Sequence, residues 1–331
     1  MNRDTFIDSA KGVLIFLVVL GHFFEAVGAW DKTPALKWLV TSVYMFHIPA
    51  FVFLAGITAK PTGIAKRVAR LALMLVAFQV IYGALLYVQK GKWLVTIPEP
   101  YWLLWFLMAM ILWNLLIPMF RVIKYPVLVS VSLAIAAGAS GWMGYWWSLG
   151  RMFNYLPFFV VGHLYGKQIM AAIPRGAAAK VAAALVLIGI ASFLVAIGVR
   201  NVNLYGAARY RDLGLNFGWG ALTLLGVYSI AAISSVAAFV LVPRNSKLIA
   251  AVGAGSLAVY LLHGLVIMVG RDYFSYYTWI NGQVVVIGAC FIGSIFFTWL
   301  LSLPLFDGAI RRSIDIVMSI STRKPPQAQD T

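Results

Sequence analysis

Apolar runs long enough to cross a bilayer recur along this 331-residue chain, and that recurrence limits what it can fold into. A helix needs about 17 to 25 such residues to span the hydrocarbon core. The runs fall near residues 10–28, 36–58, 68–88, 101–120, 126–143, 152–172, 180–199, 216–242, 248–269 and 283–305. Only 11% of the residues are charged and 62% are hydrophobic, with a mean hydropathy of +0.90. A soluble domain carries roughly a quarter charged residues. The expected fold is therefore an all-α integral membrane protein of about ten transmembrane helices.

Charge placement sets an orientation. With ten spans, 17 of the 26 Lys and Arg fall on the side of the termini and nine on the other. The positive-inside rule then puts both termini in the cytoplasm. The same retention of cations on cytoplasmic loops accounts for the net charge of +16. No basic segment is long enough to track a phosphate backbone, so no nucleic-acid partner is expected. The N-terminal run reads as a retained first span, because Asp4, Asp8, His22 and Glu25 break a signal-peptide pattern. Residues 1–321 are expected to form one transmembrane domain, and 322–331 a disordered cytoplasmic tail. No internal repeat stands out. The longest outer loop, 200–216 (RNVNLYGAARYRDLGLN), is placed to contact a substrate.

The single Cys290 excludes an internal disulfide and a cysteine-ligated metal centre. Four scattered histidines have no metal-ligand spacing, so no metal is expected. A G-x-S-x-G elbow is absent as well. Most of the 12 Trp, 15 Tyr and 21 Phe read as interfacial belts and lipid-facing packing. Trp102 and Trp105, or Trp146 and Trp147 near Arg151 and Asn154, either stack on a sugar ring or belong to the belts; their interfacial positions favour the belts.

The first run, FIDSAKGVLIFLVVLGHFFE (6–25), keeps ionisable groups where hydrocarbon disfavours them. Eleven residues turn a helix about 20° past three full turns, so Lys11 and His22 share a face roughly 16 Å apart along the axis. Asp8, Lys11, Ile15, Val18, His22 and Glu25 form one stripe, which should face the bundle interior. Lys11 is either an interfacial anchor or a functional cation. His22, well inside the span, is either a hydrogen-bonded structural residue or an acid–base group tuned by a carboxylate. Pro49 disturbs the second span. His47 beside it either plugs freed backbone groups or lines a cavity, and His263, one turn from Tyr260, faces the same choice.

D-x-x-K-G followed by V-V-L-G-H is similar to the opening of the membrane acyltransferase family three, closest to its fucose O-acetylase-like branch. Members carry a basic residue, ten intervening residues, then His. Lys11 and His22 keep that spacing, with Lys where much of the family has Arg. YMFHIPAFVFLAGI (44–57) resembles the second-helix pattern, with Ala55 where Ser is usual. AKRVARL (65–71), LLWFLMAMI, LPFFVVGHLYGK and SLAVYLLHG resemble later stretches in order. The resemblance implies transfer of an acyl group, usually acetyl, from acyl-CoA to a sugar hydroxyl of a cell-surface or secreted glycan. His22 would be the general base and Glu25 its orienting partner or an outer-interface residue. Lys11, Arg67 and Arg70 would hold the anionic donor on the cytoplasmic side, or serve as positive-inside anchors. His47, Tyr260 and His263 are possible acceptor or acyl-tunnel residues. Acetyl-CoA is the implied donor substrate, with no bound cofactor. A glycan or lipid-linked saccharide is the implied acceptor, membrane lipids are further partners, and the site of action is a bacterial inner membrane. The competing reading is a transporter or flippase for a lipid-linked sugar.

Overall fold

The structure, a computed structural model, describes residues 4–28, 33–96, 99–140, 146–280 and 282–321. The expected tail, 322–331, lies outside them. The described residues contain fourteen α-helices and three short 3-10 turns, and no strand occurs among them. The α-helices are α1 (Thr5–Ala26), α2 (Pro34–Tyr44), α3 (His47–Thr58), α4 (Ile64–Lys90), α5 (Trp105–Val122), α6 (Pro126–Ala139) and α7 (Leu149–Ala172). After these come α8 (Ala177–Ala196), the single turn α9 (Asn201–Leu204), α10 (Phe217–Leu241), α11 (Lys247–Ala254), α12 (Ser256–Ile280), α13 (Gln283–Leu301) and α14 (Pro304–Ser321).

The chain is an all-α, multi-pass membrane protein. Seven helices are long and apolar enough to cross a membrane, with α2 and α3 taken as one span. The number is eight if α11 and α12, bent by 70° at Gly255, form one span. The remaining two of the ten expected runs fall on α6, of 14 residues, and on α7, where Arg151, Asn154, His163 and Lys167 dilute the apolar sequence.

Local chemistry starts the helices where they start. Asp4 accepts the N–H groups of Phe6 and Ile7 at 3.0 and 3.3 Å and so caps α1. Thr33 caps α2, and Pro34 follows at the first helical position. The second span breaks one turn before Pro49, which has no N–H to give to the carbonyl of Met45. At the break Phe46 leaves helical geometry, with φ −147° and ψ −21°.

Packing makes α1 the axis of the bundle, touching α2, α3, α11, α12 and α13. Ile15 and Val18, from its predicted inward stripe, are buried. Val181, Leu185 and Ile188 on α8, and Val284, Ile292 and Ile295 on α13, present an exposed apolar surface suited to lipid. Glycines allow the closest approaches. A Cβ at Gly162 of α7 would lie 2.1 Å from the carbonyl oxygen of Phe53, and one at Gly56 of α3 2.3 Å from that of Phe159. The backbones of α3 and α7 therefore touch, which fixes what each helix presents to the interior.

One element has no counterpart among the expected spans. The helix α14 follows the last span and buries Ile314 and Met318 against the bundle. Within it Arg311 pairs with Asp307, one turn earlier, at 2.6 Å.

Candidate functional site

Five parts of the chain converge on a cavity of about 250 Å³. The α1 helix supplies His22 and Glu25, and the α2–α3 break supplies Tyr44 and His47. Trp102 and Trp105 come from the turn leading into α5 and its first residue, Arg151 and Tyr155 from the first turns of α7, and Leu204 and Tyr205 from the end of α9 and the residue after it. Polar side chains gathered in the interior of a membrane bundle mark a functional site rather than packing.

His22 turns Nδ1 toward Glu25, with Nδ1 to Oε2 at 3.9 Å. That is too long for a hydrogen bond, and buried Nδ1 has no other hydrogen-bond partner. The ring is held from two further sides, by Trp102 at 5.1 Å and by the edge of His263 at 5.2 Å between centroids. Glu25 is itself fixed, because the Tyr205 hydroxyl donates to its Oε1 at 2.6 Å. Phenol and carboxylate are thus hydrogen-bonded, and the imidazole faces that pair at 3.9 Å.

The loop carrying Tyr205 is anchored at several points. The Tyr210 ring lodges against Gly138 and Gly220, where an added Cβ would lie 2.5 and 2.2 Å from it. Tyr155 donates its hydroxyl to the carbonyl of Leu204 at 3.3 Å. Arg209 grips Asp212 through Nε and Oδ2 at 2.9 Å and holds that carboxyl below the usual range.

His47 lines the same cavity as His22. Its Nδ1 lies 2.9 Å from the carbonyl of Val43, so this nitrogen carries the proton of the neutral ring, because a carbonyl only accepts. The ring satisfies the backbone at the helix break and also forms cavity wall. His263 makes the equivalent bond to Val259 at 2.9 Å, leaving a buried Nε2 with no hydrogen-bond partner. It touches His22 from outside the cavity lining. Tyr260 donates to the carbonyl of Leu103 at 2.5 Å and is committed to packing that segment. His163 lies apart, its Nδ1 3.4 Å from the carbonyl of Gly56.

The expected donor residues do not form one cluster. Arg67 donates Nε to Asn114 on α5 at 2.6 Å and also reaches the carbonyls of Thr62, at 3.4 Å, and Lys60. Arg70 turns to α14 and pairs with Asp315 at 2.6 Å. A cleft of about 600 Å³ between α4 and α14 is lined by Lys66, Arg70 and Asp315, but not by Arg67 or Lys11. Lys11 is half-buried on α1, eleven residues before His22. Among the described residues no group of three or more His, Cys, Asp or Glu is gathered as for a metal ion.

Arg151, Tyr205, Tyr44, Trp102 and Trp105 belong to this site and were not assigned to it from sequence. Arg151 gave one readable signal, since it precedes Tyr155 by four residues and therefore shares its helical face. Trp102 and Trp105 were read as belt residues, yet they face the cavity.

A family model described as "Acyltransferase domain" matches residues 4–303. The nodulation protein NolL of Sinorhizobium fredii (strain NBRC 101917 / NGR234) is 28% identical over 193 residues, covering 51% of this chain and 50% of that protein. The nodulation protein NolL of Mesorhizobium japonicum is 40% identical over 60 residues, covering 17% and 15%. The chain thus spans half the length or less of these curated relatives. No solved structure matches it.

Proposed function

The chain belongs to the acyltransferase-domain family, and from that premise we propose that it moves an acyl group, acetyl in our reading, from acyl-CoA to a sugar hydroxyl of a glycan. Residues 1–321 act as one transmembrane unit with both termini in the cytoplasm. The observation that carries this reading is His22 in a cavity lined by Glu25, Arg151 and aromatic side chains, its Nδ1 turned to a carboxylate that Tyr205 holds. Free hydroxyls are weak nucleophiles at neutral pH, and a positioned base accelerates their attack on a thioester. Aromatic side chains on the cavity wall offer flat apolar faces for a sugar ring, while Glu25 and Arg151 offer hydrogen bonds.

Glu25 acts through His22. If Tyr205 orients it, Tyr205→Phe lowers kcat about tenfold, the scale of one charge-assisted hydrogen bond. The KM for acyl-CoA stays unchanged. Steady-state rates of the purified variant check this, and an unaltered kcat would detach Tyr205 from catalysis.

On the donor side, the cleft beside Lys66 and Arg70 suits the phosphates of CoA, and Lys11 supports the arm between cleft and cavity. The 16 Å or so from Lys11 to His22 is within reach of an extended pantetheine. Asp315 competes with those phosphates for Arg70. Exposed pairs of this kind contribute about 0–1 kcal/mol, so Asp315→Asn is expected to lower the KM for acyl-CoA about two- to fivefold. A KM that stays level or rises would move the donor elsewhere.

Deleting the protein from cells that make it tests the function as a whole. The glycan should persist and lose its O-acyl signals by NMR. Glycan that is missing altogether would favour a transporter of lipid-linked sugar, and unchanged acylation would reject both readings.

A further inference from the structure

Among the described residues, the lining of the cavity around His22 includes one Arg and no Lys. That Arg, Arg151, sits in the first turn of α7, just after Trp147 and Ser148, whose left-handed conformations (φ 49° and 56°) turn the chain into the helix. Its guanidinium lies 5.6 Å from the ring centroid of Trp105, and Trp105 stacks on Tyr155 at 5.6 Å. Cation–π contact with a braced ring orients the fork. Because a guanidinium stays protonated throughout the working pH range, the charge is permanent.

Acyl transfer requires such a group. As the thioester is attacked, its carbonyl oxygen becomes negative, and donors preset at that oxygen supply a large part of catalysis. Two hydroxyl groups of the cavity are engaged elsewhere: Tyr205 donates to Glu25 and Tyr155 to the carbonyl of Leu204. His47 Nδ1 is engaged by Val43. Arg151 combines permanent charge, several donors and a position facing the same space as His22.

We propose that Arg151 is a further catalytic residue, whose guanidinium holds the acyl carbonyl oxygen while it is negative; this rests on the acyl-transfer reading above. The acceptor hydroxyl gives its proton to Nε2 of His22 as its oxygen bonds to the thioester carbon. The carbonyl electron pair moves onto the oxygen held by Arg151. When that pair returns, the C–S bond breaks and the imidazolium gives its proton to the departing thiolate. No other reactant is needed.

The test uses the full-length protein in lipid nanodiscs, with acetyl-CoA and the glycan whose acylation depends on it. Arg151→Met should lower kcat about 10²- to 10³-fold, the loss seen when one oxyanion donor is removed. The KM for acetyl-CoA should stay within about twofold, the small change expected when the lost contact forms only in the transition state. Added guanidinium ion should restore part of the Met variant's rate, which a structural role would not allow. A kcat near wild type, or a loss confined to KM, overturns the assignment. Should the Met variant not accumulate, Arg151→Lys decides. A kcat about tenfold lower supports the fork geometry, given the poor fit of an ammonium in its place, and an unchanged kcat rejects it. His22→Ala measured alongside separates the two claims. If it is inactive while Arg151→Met is fully active, only Arg151 falls; if it is active, the base reading falls.

Discussion

Replacing His22 by Ala is expected to lower acyl transfer about 10³- to 10⁴-fold, at the upper end of what a positioned general base contributes. The size follows from the surroundings. His22 is the cavity residue with a ring nitrogen turned to a carboxylate, whereas His47 spends its Nδ1 on Val43 and His263 lies outside the cavity lining. Neither is placed to take over. The substitution also removes a ring packed against Trp102 and His263. His22→Asn, which retains a polar side chain, should be similarly inactive and separates lost chemistry from lost packing. Initial rates at equal amounts of membrane protein check both variants. Activity in either above about a tenth of wild type, where a lost base costs at least a hundredfold, would remove His22 as the base.

The second large effect is on assembly. Gly162→Leu is expected to deplete folded protein from the membrane almost completely, because its Cβ would lie 2.1 Å from the backbone of Phe53. Inserting atoms into a packed core costs about 1–3 kcal/mol even where side chains can move aside. Here the opposing group is a carbonyl of α3 and cannot rotate away. Forcing α3 from α7 also separates His47 on one helix from Arg151 and Tyr155 on the other, which pulls the cavity wall apart. Even Gly162→Ala should lower the amount of folded protein, whereas Gly189→Ala, where an added Cβ meets nothing within 4 Å, should leave it unchanged. Quantifying detergent-extracted monodisperse protein tests this. Equal yields for the two Ala variants would contradict the close α3–α7 contact.

What the sequence reveals of this fold is what lies close along the chain. The stripe from Asp8 to Glu25 was readable because one helix carries all of it, and Ile15 and Val18 are buried as that stripe requires. Pro49 announced a break in the second span, though the break falls four residues earlier, at Met45–Phe46. Arg67 and Arg70 looked like one clamp at a spacing of three residues. Three residues leave about 60° between two side chains on a helix, which here is enough to send one to α5 and the other to α14.

The rest depended on distant parts of the chain meeting. Tyr205 reaches Glu25 across 180 residues, and no local pattern indicates that pairing. A Trp at the membrane boundary and a Trp on a cavity wall occupy similar depths, so Trp102 could not be told from a belt residue. The α14 helix escaped because its charged face lowers its hydropathy, although Asp307 and Arg311 stand at helical spacing.

The most direct test is transfer of labelled acetyl from acetyl-CoA to the glycan by the purified protein in lipid, beside the His22→Ala variant. The account predicts label on a sugar oxygen with the wild-type protein and about a thousandfold less with the variant. Equal transfer by both, or no transfer by a folded wild-type protein supplied with that glycan, would contradict it.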